Sequence, residues 1–364
     1  MIFNINNLLF LYIFICITLI LFNSTYMLLS NYNKKKKNKH IDSWKKSIVN
    51  QINILNQGNS IELKQKILLE KRLLNSEQLI AYVLALDELR EIGINTKQYI
   101  FENYTSIVVL ANKYKDKEVY ERAFFAFFIS KNPPCSGKEY NSLIEILLTY
   151  IDNSNMYCRE NILKALYKIG NLHSIENAFL LMNEHKHFHH NKLLSDGLMT
   201  FTGDKEALAK ILFGYFRKWD DNILISVIKF ITKSSDKFKY EFLLLLKEGN
   251  LKIEIHLAII RYFRENTHEP VHQILIDYLK DKNISDDNIK IVAASVLEKY
   301  PGDETILVLK EALKDANWYI RYNAATSLIR LNVSSKIIKE IFNADDLYAK
   351  EIIAYMERLE RENR

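Results

Sequence analysis

Four imidazoles fall within six residues of this chain. In EHKHFHHN, His185, His187, His189 and His190 stand between two apolar helical runs. Imidazoles at that density suggest metal chemistry, with a divalent transition ion such as zinc as the natural guest. The tract has no partner cluster at a fixed offset, so its spacing defines no coordination geometry. A polar turn between helices accommodates the same residues without any role, and the expectation is a solvated turn with no metal and no cofactor. No glycine-rich phosphate loop, nucleophile elbow or HExxH pair is present, and no carboxylate pair is set apart by spacing. A protein that is not an enzyme is therefore expected, with a membrane-tethered metal-binding protein or enzyme built on the histidines as the alternative.

The elements that would position such residues are helices. From Ser60 onward apolar residues recur at helical spacing and no period-two strand pattern persists. All four prolines, Pro133, Pro134, Pro270 and Pro301, fall between apolar blocks, where the missing N–H and fixed φ do no harm. The blocks come in pairs, and their features recur. Lys290, Ala293, Ala294 and Leu297 precede Arg321, Ala324, Ala325 and Leu328 by 31 residues each. DDNILISVIKFI from Asp220 matches DDNIKIVAASVL from Asp286, and RENILKALYKIG from Arg159 matches RYNAATSLIRLN from Arg321. A helical unit recurring at 30 to 40 residues is the signature of a solenoid, in which each pair buries its apolar face on the next.

Ahead of the repeats, Leu8 to Phe22 is apolar apart from Thr18, and the apolar character resumes at Tyr26 to Leu29. A helix from Leu8 to Leu29 rises about 33 Å, enough for a hydrocarbon core of about 30 Å. The organisation expected is a transmembrane anchor over residues 5–30, a basic juxtamembrane linker over 31–59 and a helical array over 60–364. Lys34, Lys35, Lys36, Lys37 and Lys39 follow the apolar segment, whereas MIFNINN before it has no charged side chain. The positive-inside bias places the lysines and all that follows in the cytoplasm, with the cluster against anionic lipid. The leader lacks the basic start and small-residue cleavage site of a secretory signal.

Charge narrows the partners. The net charge is +6, but residues 34–46 hold seven lysines against Asp42, which leaves the remainder neutral. A protein that tracks phosphates concentrates Lys and Arg on its binding face, so no nucleic acid is expected. Of the three cysteines, Cys16 lies in the apolar segment and only Cys135 and Cys158 could pair, so a reducing compartment is the simpler reading. Tyr120, Phe124, Phe125, Phe127 and Phe128 are spaced for a packed core rather than a ligand groove. Trp219 and Trp318, at turns before second helices, are expected to pack between repeats.

The last full unit carries a resemblance. Asp315 in the turn, Arg321 six residues on, and Ala324, Ala325 and Leu328 behind it resemble a HEAT repeat of the armadillo-like helical class. The resemblance implies an all-α fold, an α-solenoid of two-helix repeats after one transmembrane helix. It also implies a structural ladder between neighbouring repeats through Asp315 and Arg321, with Arg159 and Lys290 at the equivalent position. Some HEAT-like enzymes hold two iron ions through repeated His-Glu pairs; this chain has one such pair, His268 and Glu269, beside Pro270. The function implied is a membrane-anchored scaffold that binds a protein partner on the cytoplasmic face.

Overall fold

The computed structural model describes residues 5–134, 141–152, 154–281 and 286–362, and among them every regular element is helical. Cys135, and Asn153 six residues before Arg159, lie outside the described residues. The chain folds as two compact units, residues 1–178 and 179–364.

The first unit begins with one helix, α1 (Ile5–Asn56), of 52 residues. The segment 31–59, expected as a linker, is thus helical through Asn56. The reason is in the sequence: no glycine or proline interrupts the chain before Gly58, and lysine is a good helix former. The apolar part of α1 from Leu9 is almost wholly exposed, and it is long and apolar enough to cross a membrane. Its two threonines hide their hydroxyls, Thr18 Oγ1 donating to the Phe14 carbonyl at 3.0 Å and Thr25 Oγ1 to the Leu21 carbonyl at 2.9 Å. Further along, Ile41, Trp44, Ile48 and Leu55 lie at helical spacing and are buried. This second half of α1 packs on α3 (Ser76–Glu91) and α4 (Lys97–Glu102).

The remaining helices of the unit are α2 (Leu63–Leu73), α5 (Tyr104–Tyr114), α6 (Val119–Lys131), α7 (Asn141–Asp152) and α8 (Met156–Ile169). One series of packed helices runs α1, α3, α6, α8, and a second runs α2, α5, α7. Phe125 and Phe128 of α6 are fully buried and Phe124 and Phe127 half-buried, but Tyr120, expected in the same core, is exposed because it stands in the first turn of the helix on its outer face. Asn75 and Asn155 cap α3 and α8 by accepting from the N–H groups of Gln78 and Cys158, and Gly170 ends α8 at φ 77°, a left-handed conformation that glycine adopts without strain. The Cys158 thiol is pushed up to about 11 by burial.

After α9 (Leu172–Glu184), the second unit continues with α10 (Asn191–Met199), α11 (Lys205–Phe213), α12 (Asp221–Ser234), α13 (Lys239–Glu248) and α14 (Ile253–Glu265). It closes with α15 (His272–Lys280), α16 (Asp287–Val296), α17 (Asp303–Ala312), α18 (Trp318–Arg330), α19 (Ser335–Asn343) and α20 (Leu347–Glu362). The even-numbered helices from α10 to α20 each pack on the next, and each odd-numbered helix from α11 packs on the even one that follows it. Small residues let α16 and α18 approach: Ala293, Ala294, Ala324 and Ala325 are all buried, and Ser327 Oγ donates to the Ala294 carbonyl at 2.7 Å. Glu298, almost inaccessible, takes Arg264 at 2.9 Å and Arg330 at 2.6 Å. Burial works to raise its carboxyl, but the hydrogen bonds from the two guanidinium groups outweigh it and hold the pKa below the ordinary value.

Candidate functional site

The histidine tract folds as a tight turn whose four imidazoles do different things. Lys186 adopts a left-handed φ of 54° between α9 and α10, and its Nζ pairs with Asp220 at 2.9 Å. The rings of His185 and His187 lie 5.6 Å apart. His189 is buried rather than solvated, and its carbonyl accepts a hydrogen bond from the Asn222 side chain. His190 is the N-cap of α10, its Nδ1 accepting from the Lys192 N–H at 3.2 Å. Among the described residues no three His, Cys, Asp or Glu side chains converge as a bound ion needs.

The residues expected to form a ladder close their own turns. Arg321 Nη1 donates to the carbonyls of Asp315 at 2.7 Å and Ala316 at 3.0 Å. Arg159 Nη1 does the same to Ser154, at 2.7 Å to the carbonyl. The Asp315 carboxylate accepts from the Asn317 N–H at 2.8 Å, not from Arg321. A link from this turn to the preceding helix pair comes from Asn317, whose Nδ2 donates to Asp287 at 2.8 Å while its Oδ1 caps α18 at the Tyr319 N–H. Lys290 is half-buried on α16, and residues 282–285 ahead of that helix lie outside the described residues. Lys34, Lys35, Lys37 and Lys39 are exposed on α1, while Lys36 Nζ meets Glu77 Oε2 at 2.7 Å.

The two tryptophans expected to pack alike do not. Trp219 is 6 % exposed, with its indole N–H donating to the Leu212 carbonyl at 2.8 Å and its ring edge-on to Phe179. Trp318 is 46 % exposed. It opens α18, and helical spacing brings Tyr322 beneath it, the rings stacked with centroids 5.0 Å apart, while Tyr319 meets it edge-on at 5.2 Å. Facing it on α20 are Tyr348, Glu351, Ile352 and Tyr355, at successive offsets of three, one and three residues that keep them on one helix face. These four enclose, with Trp318 and Arg321, a hollow of about 230 Å³. The Arg321 guanidinium carbon lies 5.0 Å from the centre of the Tyr348 ring, so the cation is held both by its own turn and by an aromatic face.

Exposed aromatic rings around an arginine and a carboxylate have the composition that dominates protein interfaces, because rigid amphipathic rings bury much area at small entropic cost. The hollow lacks a nucleophile paired with a base. Sequence reasoning misses this site: Trp318 reads as a packing residue, and nothing in its neighbourhood singles out Tyr319, Tyr348 or Tyr355. A signal is nonetheless present in DDLYAKEIIAYMERL, where Tyr348 and Tyr355 sit seven residues apart on a face that the buried positions Ala349, Ile353 and Met356 do not share. The chain matches no protein-family model, no curated protein and no solved structure.

Proposed function

We propose that this chain is a membrane-anchored scaffold: a HEAT-like α-solenoid, tethered by α1 with its array on the cytoplasmic side, that grips a protein partner at the hollow between α18 and α20. The observation that carries the reading is Trp318, a large aromatic left half-exposed in a unit that buries Trp219, Phe230, Phe242 and Tyr262, with Tyr348, Tyr355 and Arg321 around it. A few Trp, Tyr and Arg side chains supply most of the affinity in such contacts. Tethering supplies the rest by confining the partner to the membrane surface, where effective concentration replaces intrinsic affinity.

The test compares the full chain with Trp318→Ala/Tyr348→Ala, each tagged and captured from gently solubilised native membranes, with bound proteins quantified by mass spectrometry. A stoichiometric protein held by the parent and reduced at least about tenfold by the double substitution supports the scaffold. Equal capture by both rejects the site. A stoichiometric metal in the purified protein, lost on His187→Ala/His189→Ala, would reject the scaffold in favour of metal chemistry.

A further inference from the structure

The first unit has two edges, and the bonds between its helices fix which one lies level with the basic end of the apolar segment. Lys36 of α1 meets Glu77 at the start of α3 at 2.7 Å, and Lys45 meets Glu88 at 2.9 Å, so the two helices run in the same direction. Ser76 of α3 bonds Glu121 in the first turn of α6, and Asp87 bonds Lys131 at the other end of α6, so α6 runs the same way again. Asn161 of α8 donates to the Ala123 carbonyl of α6 at 3.1 Å, which brings the starts of those two helices level. The returning helices agree. Tyr114 at the end of α5 donates to the Leu73 carbonyl at the end of α2 at 2.7 Å, and Tyr150 near the end of α7 donates to the Ala111 carbonyl of α5. The turns α2–α3, α5–α6 and α7–α8 therefore share one edge, at the level of Lys36.

That level lies about 10 Å beyond Leu29, at 1.5 Å per residue, which is the depth of phospholipid headgroups when residues 8–29 fill the hydrocarbon. What the edge carries suits that place. Lys71, Lys113 and Lys115 are exposed on it, with Glu77, Asp116 and Glu118 exposed among them, and beside them stand Tyr120, 69 % exposed in the first turn of α6, and Tyr157, 71 % exposed in the first turn of α8. Tyrosines and lysines together are what a membrane interface favours, the ring at headgroup depth and the ammonium on phosphate. A recess of about 310 Å³ opens at the same level between Asn33, Lys36, Lys37 and His40 of α1 and Glu77 and Ile80 of α3.

We propose that this turn edge of the first unit lies on the surface of the bilayer that α1 crosses, binding anionic phospholipid through Lys71, Lys113, Lys115, Tyr120 and Tyr157. The inference rests on α1 being a membrane span, and one experiment separates the two. The full-length chain is placed in nanodiscs of phosphatidylcholine alone or with phosphatidylserine, three parts to one, and amide hydrogen exchange is followed by mass spectrometry. The N–H groups of Val119, Tyr120, Met156 and Tyr157, in the first turns of α6 and α8, have no intrahelical acceptor and report directly on what covers them. With phosphatidylserine, exchange across residues 113–120 and 154–158 slows about tenfold, exchange across 91–97 at the opposite edge is unchanged, and the triple variant Lys71→Glu/Lys113→Glu/Lys115→Glu loses the slowing. Exchange at 113–120 and 154–158 that is indifferent to lipid charge, while residues 9–29 are protected, overturns the surface contact and leaves the span standing. Unprotected residues 9–29 in the disc overturn both.

Discussion

The two units reach from one helix pair to the next over different lengths of chain. In the first, Tyr114 finds Leu73 41 residues away and Ser76 finds Glu121 45 residues away. In the second, Asn317 finds Asp287 after 30 residues and Ser327 finds Ala294 after 33. The kinds of bond are shared. Ion pairs cross between helix pairs of the second unit at Lys186–Asp220, Arg217–Glu248, Lys237–Glu206 and Lys252–Asp221. In the first, Lys36–Glu77, Lys45–Glu88 and Lys131–Asp87 do the same beside the hydroxyls of Tyr114 and Tyr150 on carbonyls, and in the second Tyr262 and Tyr300 supply such hydroxyls. Neighbouring pairs stay in register with longer connections as long as a buried donor pins one end of each helix, so register depends on the pin and not on a constant spacing.

Removing the large aromatic side chain that seats each unit should have the greatest effect. Trp44→Ala deletes a ring that packs edge-on to Tyr82, carries the Arg72 guanidinium 3.6 Å above it and bonds Gln78 at 3.0 Å; it should cost about 3–5 kcal/mol. Trp219→Ala should cost the second unit a similar amount. Amide exchange in each unit through thermal unfolding tells whether the loss stays with the mutated side; a loss shared equally would erase the distinction between the units.

Next comes Glu298→Gln, which removes the charge clamped by Arg264 and Arg330 and should destabilise the second unit by about 1.5–3 kcal/mol. Because the folded carboxyl titrates below its ordinary value, the stabilisation is full above the unfolded value of about 4.3 and is lost as pH falls through the depressed one. Urea midpoints between pH 7 and 3 should therefore converge for parent and variant at the acid end. Tyr114→Phe and Tyr300→Phe are a matched pair, since Tyr300 donates to the Phe263 carbonyl at 3.0 Å; each should cost about 1–2 kcal/mol if the pinning role is common to both units, and a null result at Tyr300 alone would confine it to the first. Smallest of all, Lys252→Ala should shift stability by less than about 0.5 kcal/mol, because its pair with Asp221 is exposed. A larger effect would mean that the charges between helix pairs in the second unit do more than decorate its surface.

Helical content is legible from periodicity and from where glycine and proline fall, and the 31-residue offset between Lys290 and Arg321 lies between the 30- and 33-residue spans of the bonds from Asn317 and Ser327. The first unit hides its order because the bonds between its helix pairs span 38 to 45 residues, a spacing that no fixed offset in the sequence marks. The continuity of α1 is readable in the absence of glycine and proline before Gly58; the run of lysines draws attention to charge instead. Of the candidate site, Arg321 stands out in the sequence for the wrong bond: the guanidinium needs an acceptor, and it takes the backbone carbonyls five and six residues back rather than the Asp315 carboxylate. The exposure of Trp318 cannot be read from the residue alone, because Trp219 occupies a similar place before its helix and is buried.

A helix that runs unbroken from Ile5 to Asn56 is a rod of about 78 Å with no swivel in it. Any lean of its apolar half is handed undiminished to Ile41, Trp44 and Ile48, and through them to α3. An apolar stretch meets a thinner bilayer by tilting, so for a chain seated in lipid the thickness of the membrane becomes an angle, and the first unit leans with it like the head of a lever.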